Sequence, residues 1–391
     1  MSHKIQLTRL ADFCHLPPMD EKRELSSDER LAWLRLIRSE NVGPITFFQL
    51  LGRFKTAQNA LDALPELARK GGRKKPIRIC PLAEAKREAE AVSAFGGRLL
   101  AACEPDYPPA LRMIADPPPV ISIKGHAQLL NRDILAVVGA RNSSAVAIRL
   151  TQEIAGSLSQ ENIVIASGLA RGIDTAAHQA SLTGGTIAVV GGGIDYPYPR
   201  ENKALQEQIY EQGCVIAEQP FAIVPQARHF PRRNRIISGM ALGVLVVEAS
   251  PRSGSLITAR MALEQGREIF AVPGSPMDPR ARGTNNLIRS GAILTESADD
   301  ILEALQSIRT RPLKEPDQPL LPFGDPVQPE EQELDRVRPN VLEFLSPTPV
   351  AIDEIVRLTN QPPAVVLTIL LELELAGRIE RHFGNRVSIV P

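Results

Sequence analysis

Between residues 134 and 272 the chain alternates short, unbroken apolar runs with longer stretches of helical periodicity. The runs 134–138, 163–166, 186–190, 214–217, 244–247 and 268–272 read as strands. The segments 145–158, 173–182, 201–211, 233–240 and 255–265 between them read as helices. Strands that are apolar on both faces need cover on both faces, which is the pattern of a mostly parallel α/β sheet wrapped by helices. Ligands of such sheets gather beyond the carboxyl ends of the strands.

The flanks have other periods. From 28 to 71, Leu31, Leu34 and Ile37 share one helical face, the turn Asn41-Val42-Gly43-Pro44 follows, and 57–67 is helical again. Two short helices around a Gly-Pro turn either present glycine's N–H to a DNA phosphate or merely join helices. A helix over 82–95 precedes a connection rich in proline, with Pro105, Pro108, Pro109 and Pro117 to Pro119. Prolines and the acidic run Glu330-Glu331-Gln332-Glu333 mark a linker. Beyond it, helices over 341–345, 351–359 and 363–376 and a hairpin around Gly384-Asn385 form three helices and a wing. The expected organisation is a flexible extension over 1–25, a helical domain over 26–100, a central α/β domain over 101–308, a linker over 309–338 and a winged-helix-like domain over 339–391.

The formal net charge is +0, so the whole molecule does not advertise nucleic-acid binding. Residues 225–290 differ: ten arginines and no lysine face four acids, a local balance of 10 − 4 = +6. Cys14, Cys80, Cys103 and Cys214 are widely spaced, which suits neither a disulfide framework nor a thiolate metal site. With no apolar run long enough to span a bilayer and no leader pattern, a reducing cytoplasm and no membrane insertion are expected.

The candidate chemistry lies at the strand ends. Gly139-Ala140-Arg141-Asn142-Ser143-Ser144 follows a strand and opens a helix, so Arg141 and the helix N-terminus are read as a phosphate contact, beside the plainer reading of helix capping. The loop lacks the later glycines of a dinucleotide fingerprint and the Gly-Lys-Ser/Thr of a Walker loop. Gly168 and Arg171, in Ser167-Gly168-Leu169-Ala170-Arg171-Gly172-Ile173-Asp174, repeat the plan. Asp174 and His178, one turn apart, read as helix-stabilising or packing residues. After Gly191-Gly192-Gly193 come Tyr198, Arg200 and Lys203, which suit base stacking with phosphate contact. Arg228, Phe230, Arg232, Arg233, Asn234 and Arg235 form the most basic motif. Arg232 and Arg235 share a helical spacing if the helix begins by Pro231, whereas Arg233 points elsewhere. In the last domain the presumed recognition helix carries Glu372 and Glu374 but no Lys or Arg, a poor set for reading base edges. Arg378, Arg381 and Arg386 of the wing leave weak DNA contact open.

The blocks GARNSS (139–144), SGLARGID (167–174), GGGIDYPYPRENKAL (191–205), HFPRRNRIISG (229–239), VVEASPRSGSLITA (246–259) and AVPGSPMDPRARGTNNLIRSGA (271–292) stand in this order. Together they resemble the bacterial DNA-processing protein A (DprA/Smf) family. The resemblance implies an extended Rossmann-like domain binding single-stranded DNA, an N-terminal sterile-alpha-motif-like or helix-hairpin-helix-like domain and a C-terminal winged helix. It also implies a non-catalytic homodimer that loads the RecA recombinase onto incoming DNA during natural transformation, including DNA covered by single-strand binding protein, with other competence factors as further partners. The resemblance matches Arg141, Arg228, Arg232, Arg233 and Arg235 to the family's basic positions, and with the loop residues the expected DNA-contact set is Gly139, Arg141, Ser143, Gly168, Arg171, Lys203, Arg228, Phe230, Arg232, Arg233, Asn234 and Arg235. No metal or soluble cofactor is required for that role. The competing reading is a Rossmann-like nucleotide-processing enzyme, for which Ala271-Val272-Pro273-Gly274-Ser275 is the superficial match and Asp278-Pro279-Arg280 the poor continuation.

Overall fold

The strand Ile134–Gly139 (β3), whose sequence ILAVVG is buried on both faces up to its final glycine, is the middle one of seven parallel strands in a nine-stranded sheet. The computed structural model describes residues 22–310, 329–382 and 384–390. The expected extension over 1–25 therefore lies almost wholly outside the described residues, as does most of the linker over 309–338. The chain divides into two units, residues 22–25 with 86–310 and residues 26–85 with 329–390.

In the first unit, β3 is flanked on one side by Val164–Ser167 (β4), Thr186–Val190 (β5) and Cys214–Ala217 (β6). On the other side lie Gly243–Val247 (β7), Glu268–Ala271 (β8) and Ile293–Leu294 (β9). These seven strands are parallel, with register pairs such as Ala136↔Ala166 and Val138↔Val246. The order reverses between β3 and β7, so their carboxyl ends flank the switch point of the sheet. Helix Ala145–Gln160 packs Ile154, Ala155 and Leu158 onto the core with Leu135, Val137, Leu245 and Phe270.

Two strands escape the periodicity argument. Arg98–Ala101 (β1) and Val120–Gly125 (β2) add an antiparallel edge beyond β6, so the sheet begins at Arg98. The segment read as a connection between them is anchored: Tyr107 is fully buried and donates to Pro118 O at 2.8 Å. Prolines obscured this, since they break both periodicities while tolerating strand flanks.

The second unit joins the two ends of the chain. Helix Ser27–Ile37 starts with a capping box between Ser26 and Glu29, and Trp33, Phe47 and Phe48 meet edge to face at its core. Near the other end, helix Glu331–Glu343 begins within the acidic run assigned to the linker, ten residues before the expected start at 341. Acidic side chains favour the positive end of a helix, so the run is a helix start. Helices Ile352–Thr359 and Pro363–Leu375 follow, then a sheet of Val350–Ala351 (β10), Ile379–His382 (β11) and Arg386–Ile389 (β12) in the order β10-β12-β11. No helix among the described residues is long and apolar enough to cross a membrane.

Gly139 closes β3 where backbones meet: a Cβ there would overlap Val247 O and the Ile173 side chain. Gly139→Ala should cost about 2–3 kcal/mol through overpacking, read as a fall in the urea midpoint. Gly254→Ala, at a position with nothing within 4 Å of the added carbon, should leave the midpoint unchanged or higher. Equal effects would show that the crossing at Gly139 is looser than described.

Candidate nucleic-acid interface

Helix His229–Met240 carries the basic motif and decides what each arginine does. Arg233 and Arg235 are two residues apart, close to opposite sides of a helix, and both are buried. Arg233 donates to Gly168 O at 2.5 Å and to Val189 O, and its Nε donates to Asn234 Oδ1 at 3.2 Å. Arg235 is bonded to Glu218 and lies 3.3 Å from Asp116. Burial pulls the Arg233 pKa down to about 10, opposed by Asp174, so it remains a cation at neutral pH. For Arg235, Glu218 and Asp116 outweigh burial and raise it. The expected pairing of Arg232 with Arg235 is therefore corrected: the helix does begin before Pro231, but only Arg232 reaches solvent.

The glycine loops serve this packing. A Cβ at Gly168 would collide with the Arg233 guanidinium, and one at Gly191 would press the Phe230 ring at 3.2 Å. Several of the loop amides are also occupied. Asp174 Oδ2 accepts from Gly168 N at 3.1 Å and Ala170 N at 3.2 Å. Glu248 accepts from Ser144 N at 2.9 Å and from Ser144 Oγ at 2.7 Å, at the N-terminus of helix Ala145–Gln160. Gly193 N donates to Ile223 O at 2.8 Å. Gly168, Ala170, Ser144 and Gly193 therefore spend their amides on the protein's own carboxylates and carbonyls. Ser143 Oγ is buried without a hydrogen-bond partner, close to Gly172. Ser144 is the helix cap, accepting from Ala147 N at 3.1 Å.

What remains outside is an aromatic and basic surface. Phe230 is half-buried, with Tyr198 at 5.5 Å between ring centroids and the Arg141 guanidinium at 5.7 Å. Arg233 lies 5.9 Å from the same ring, on its buried side. Arg141, Arg200, Arg228 and Arg232 are exposed. Arg171 and Lys203 are exposed too, but Arg171 pairs with Glu201 and Lys203 stands 3.8 Å from Glu207. A cation already paired at the surface presents less net charge to a ligand.

Three residues that matter here were not singled out from the sequence as structural parts. Glu248, with φ +51, turns its carboxylate across the switch point. Asn202 donates to Leu169 O, Ala170 O and Thr175 Oγ1, fixing the loop after β4. Asn285 clasps Gly274 through both its amide N and O, so the loop that resembles nucleotide enzymes is pinned to helix Arg282–Arg289. An acid directly after an apolar strand was the available signal for Glu248; Asn202 and Asn285 left none.

The fold and site define a Rossmann-like protein with a basic, aromatic surface beyond its strand ends and small helical and winged-helix modules. Family models agree: DNA recombination-mediator protein A matches residues 98–306, the DprA-like N-terminal HHH domain 27–91 and the DprA winged helix domain 325–385. The chain belongs to the DNA-processing protein A (DprA/Smf) family. It is 42% identical to Protein Smf of Escherichia coli, over 72% of this chain and 75% of that one. It is 32% identical to Protein Smf of Synechocystis, over 93% and 99%. The crystal structure of DNA processing protein A from Streptococcus pneumoniae superposes with a TM-score of 0.60 at 35% identity, covering 72% of this chain and 98% of that chain. The protein of the same name from Helicobacter pylori, described for its single-stranded-DNA binding mode, gives 0.50 at 27% identity, covering 54% and 96%.

His178, fully buried beneath this surface, receives no charge readily. Thr186 Oγ1 donates to Ile165 O, so it accepts from His178 Nδ1 at 2.7 Å, and Nε2 has no partner. Burial, reinforced by Arg233, depresses the His178 pKa from 6.5 to about 3. The unfolded chain therefore takes up this proton first, and stability from the neutral imidazole is lost as pH falls from 6.5 towards 3. The loss at pH 5 relative to pH 7 is about 2 kcal/mol. His178→Gln should remove that part of the acid sensitivity in urea melts at the two pH values; an unchanged difference would count against a buried neutral imidazole.

Proposed function

We propose that this protein is a non-catalytic mediator that binds single-stranded DNA on the surface around Phe230 and helps load the RecA recombinase onto DNA entering by natural transformation. The observation that carries the reading is the exposed set Arg141, Tyr198, Arg228 and Arg232 around the half-buried Phe230, with a buried arginine against its ring. Aromatic faces stack unpaired bases, which a duplex does not offer, while guanidinium groups neutralise the backbone. Single-strand binding named for the Helicobacter pylori relative supports the same assignment.

Within the expected contact set, Arg141, Arg228, Phe230 and Arg232 touch the strand. Arg171 and Lys203 exchange their acidic partners for phosphate or contribute at the margin. Gly139, Ser143, Gly168, Arg233, Asn234 and Arg235 act by holding the surface in shape. A homodimer would place two such surfaces on one strand and raise the effective concentration of each. RecA, single-strand binding protein and competence factors are partners in this reading, the cytoplasm is its location, and it needs no cofactor. The carboxylate of Glu248 on Ser144 and the pinned Gly274 loop favour binding over nucleotide processing.

Fluorescence anisotropy with an unstructured labelled strand tests the assignment. Phe230→Ala should weaken binding by about 1–3 kcal/mol, the range for one stacked base. Arg141→Ala and Arg228→Ala should each flatten the slope of log affinity against log salt by about 0.7 per lost phosphate contact. Wild-type affinity and slope in all three folded variants would reject this surface, and turnover of a nucleotide by the wild-type chain would favour the enzyme reading.

A further inference from the structure

The helix in the recognition position of the winged-helix module, Pro363–Leu375, is buried on two sides. Val365, Val366, Ile369, Leu370 and Leu373 belong to the core of the winged-helix module. Leu371, Glu372 and Leu375 are buried as well, outside that core cluster and on a different face of the helix. An α-helix apolar all round is one that has neighbours all round.

The second neighbour is the N-terminal helical module. Helix Pro363–Leu375 packs against helix Ala57–Lys70, and the closest approach is at Gly71, where a Cβ would overlap Glu372 O. Asn41, from the Gly-Pro hairpin turn, donates through its side chain to Leu375 O at 3.2 Å. Lys70 pairs with Glu331 at 2.8 Å, and Arg381 is held at 2.6 Å by Glu374 while its Nη2 lies 3.5 Å from Gln49 Oε1. The two acids of the helix are likewise engaged, Glu372 by Arg338 at 2.6 Å and Glu374 by Arg381.

We propose that the winged-helix module is an intramolecular clasp: its recognition helix is the docking face for the N-terminal helical module, and it does not read duplex DNA. A groove-reading helix must offer an exposed face with donors for base edges. Here that helix carries no basic side chain, its carboxylates are paired within the unit, and its second face is covered by residues 41–72. The Gly-Pro turn is tied up in the same contact through Asn41. The clasp stands independently of the single-strand surface, which lies in the other unit.

Hydrogen exchange on the full chain tests this. Gly71→Val inserts a wedge at the closest approach. Asn41→Gly removes only the side-chain bond, and glycine accepts the φ of +59 found at 41. The clasp predicts that amides in 57–70 and 363–375 lose protection together, by about tenfold with the wedge and less with Asn41→Gly, while strand Ile134–Gly139 is unaffected. Unchanged protection of 363–375 in both variants overturns it. If Gly71→Val unfolds the unit, the milder variant decides. Duplex affinity supplies the second arm: Arg386→Ala, in the exposed wing, should leave it within about twofold of wild type. A tenfold or greater loss in a folded Arg386→Ala protein would make the wing a DNA reader and overturn the clasp.

Discussion

The guanidinium of Arg233, buried at the carboxyl ends of β4 and β5, is the interaction on which the rest of this surface depends. Leaving a cation in a protein interior costs several kcal/mol unless its donors are satisfied and a counter-charge is near. Gly168 O, Val189 O and Asn234 Oδ1 supply acceptors, and Asp174 supplies the charge. The consequences reach outward. Gly168 must lack a side chain to admit the group, Asp174 must accept the neighbouring amides, and His178 must stay neutral beside it. Phe230, one helical turn earlier in direction, is set over the guanidinium and faces Arg141 and Tyr198.

A second constraint acts at the switch point between β3 and β7. In nucleotide-binding relatives of this architecture, a phosphate sits where the first helix N-terminus meets glycine-loop amides. Here Glu248 takes that place, bonded to both donors of Ser144. An internal carboxylate satisfies the same dipole and the same N–H group that a bound phosphate would. The architecture is retained with a carboxylate of the protein at its switch point, and the exposed basic and aromatic chemistry extends to the helix that begins at His229.

The parallel core was legible from the sequence because each buried strand is a continuous apolar run, and the six central strands fall within a residue or so of where periodicity puts them. The ordered glycine-rich and basic blocks were legible too, and they suffice for the family. The antiparallel edge of β1 and β2 was hidden by prolines that end periodic patterns without ending the sheet. The start of helix Glu331–Glu343 was hidden because acidic residues mark linkers and helix N-termini alike.

The candidate site was legible in the sequence as a gathering of residue types, not as a set of roles. Composition and motif order determined that arginines and glycines converge at the strand ends, since those depend on residue type and local period alone. Which arginine faces outward, which amide is already taken, and which helix face is covered were decided only by tertiary structure. Arg232 and Arg233 are adjacent and chemically identical, yet one meets water and the other two buried carbonyls. That choice is set by the rotation of one helix against β4 and β5, which depends on contacts 44 to 65 residues away along the chain.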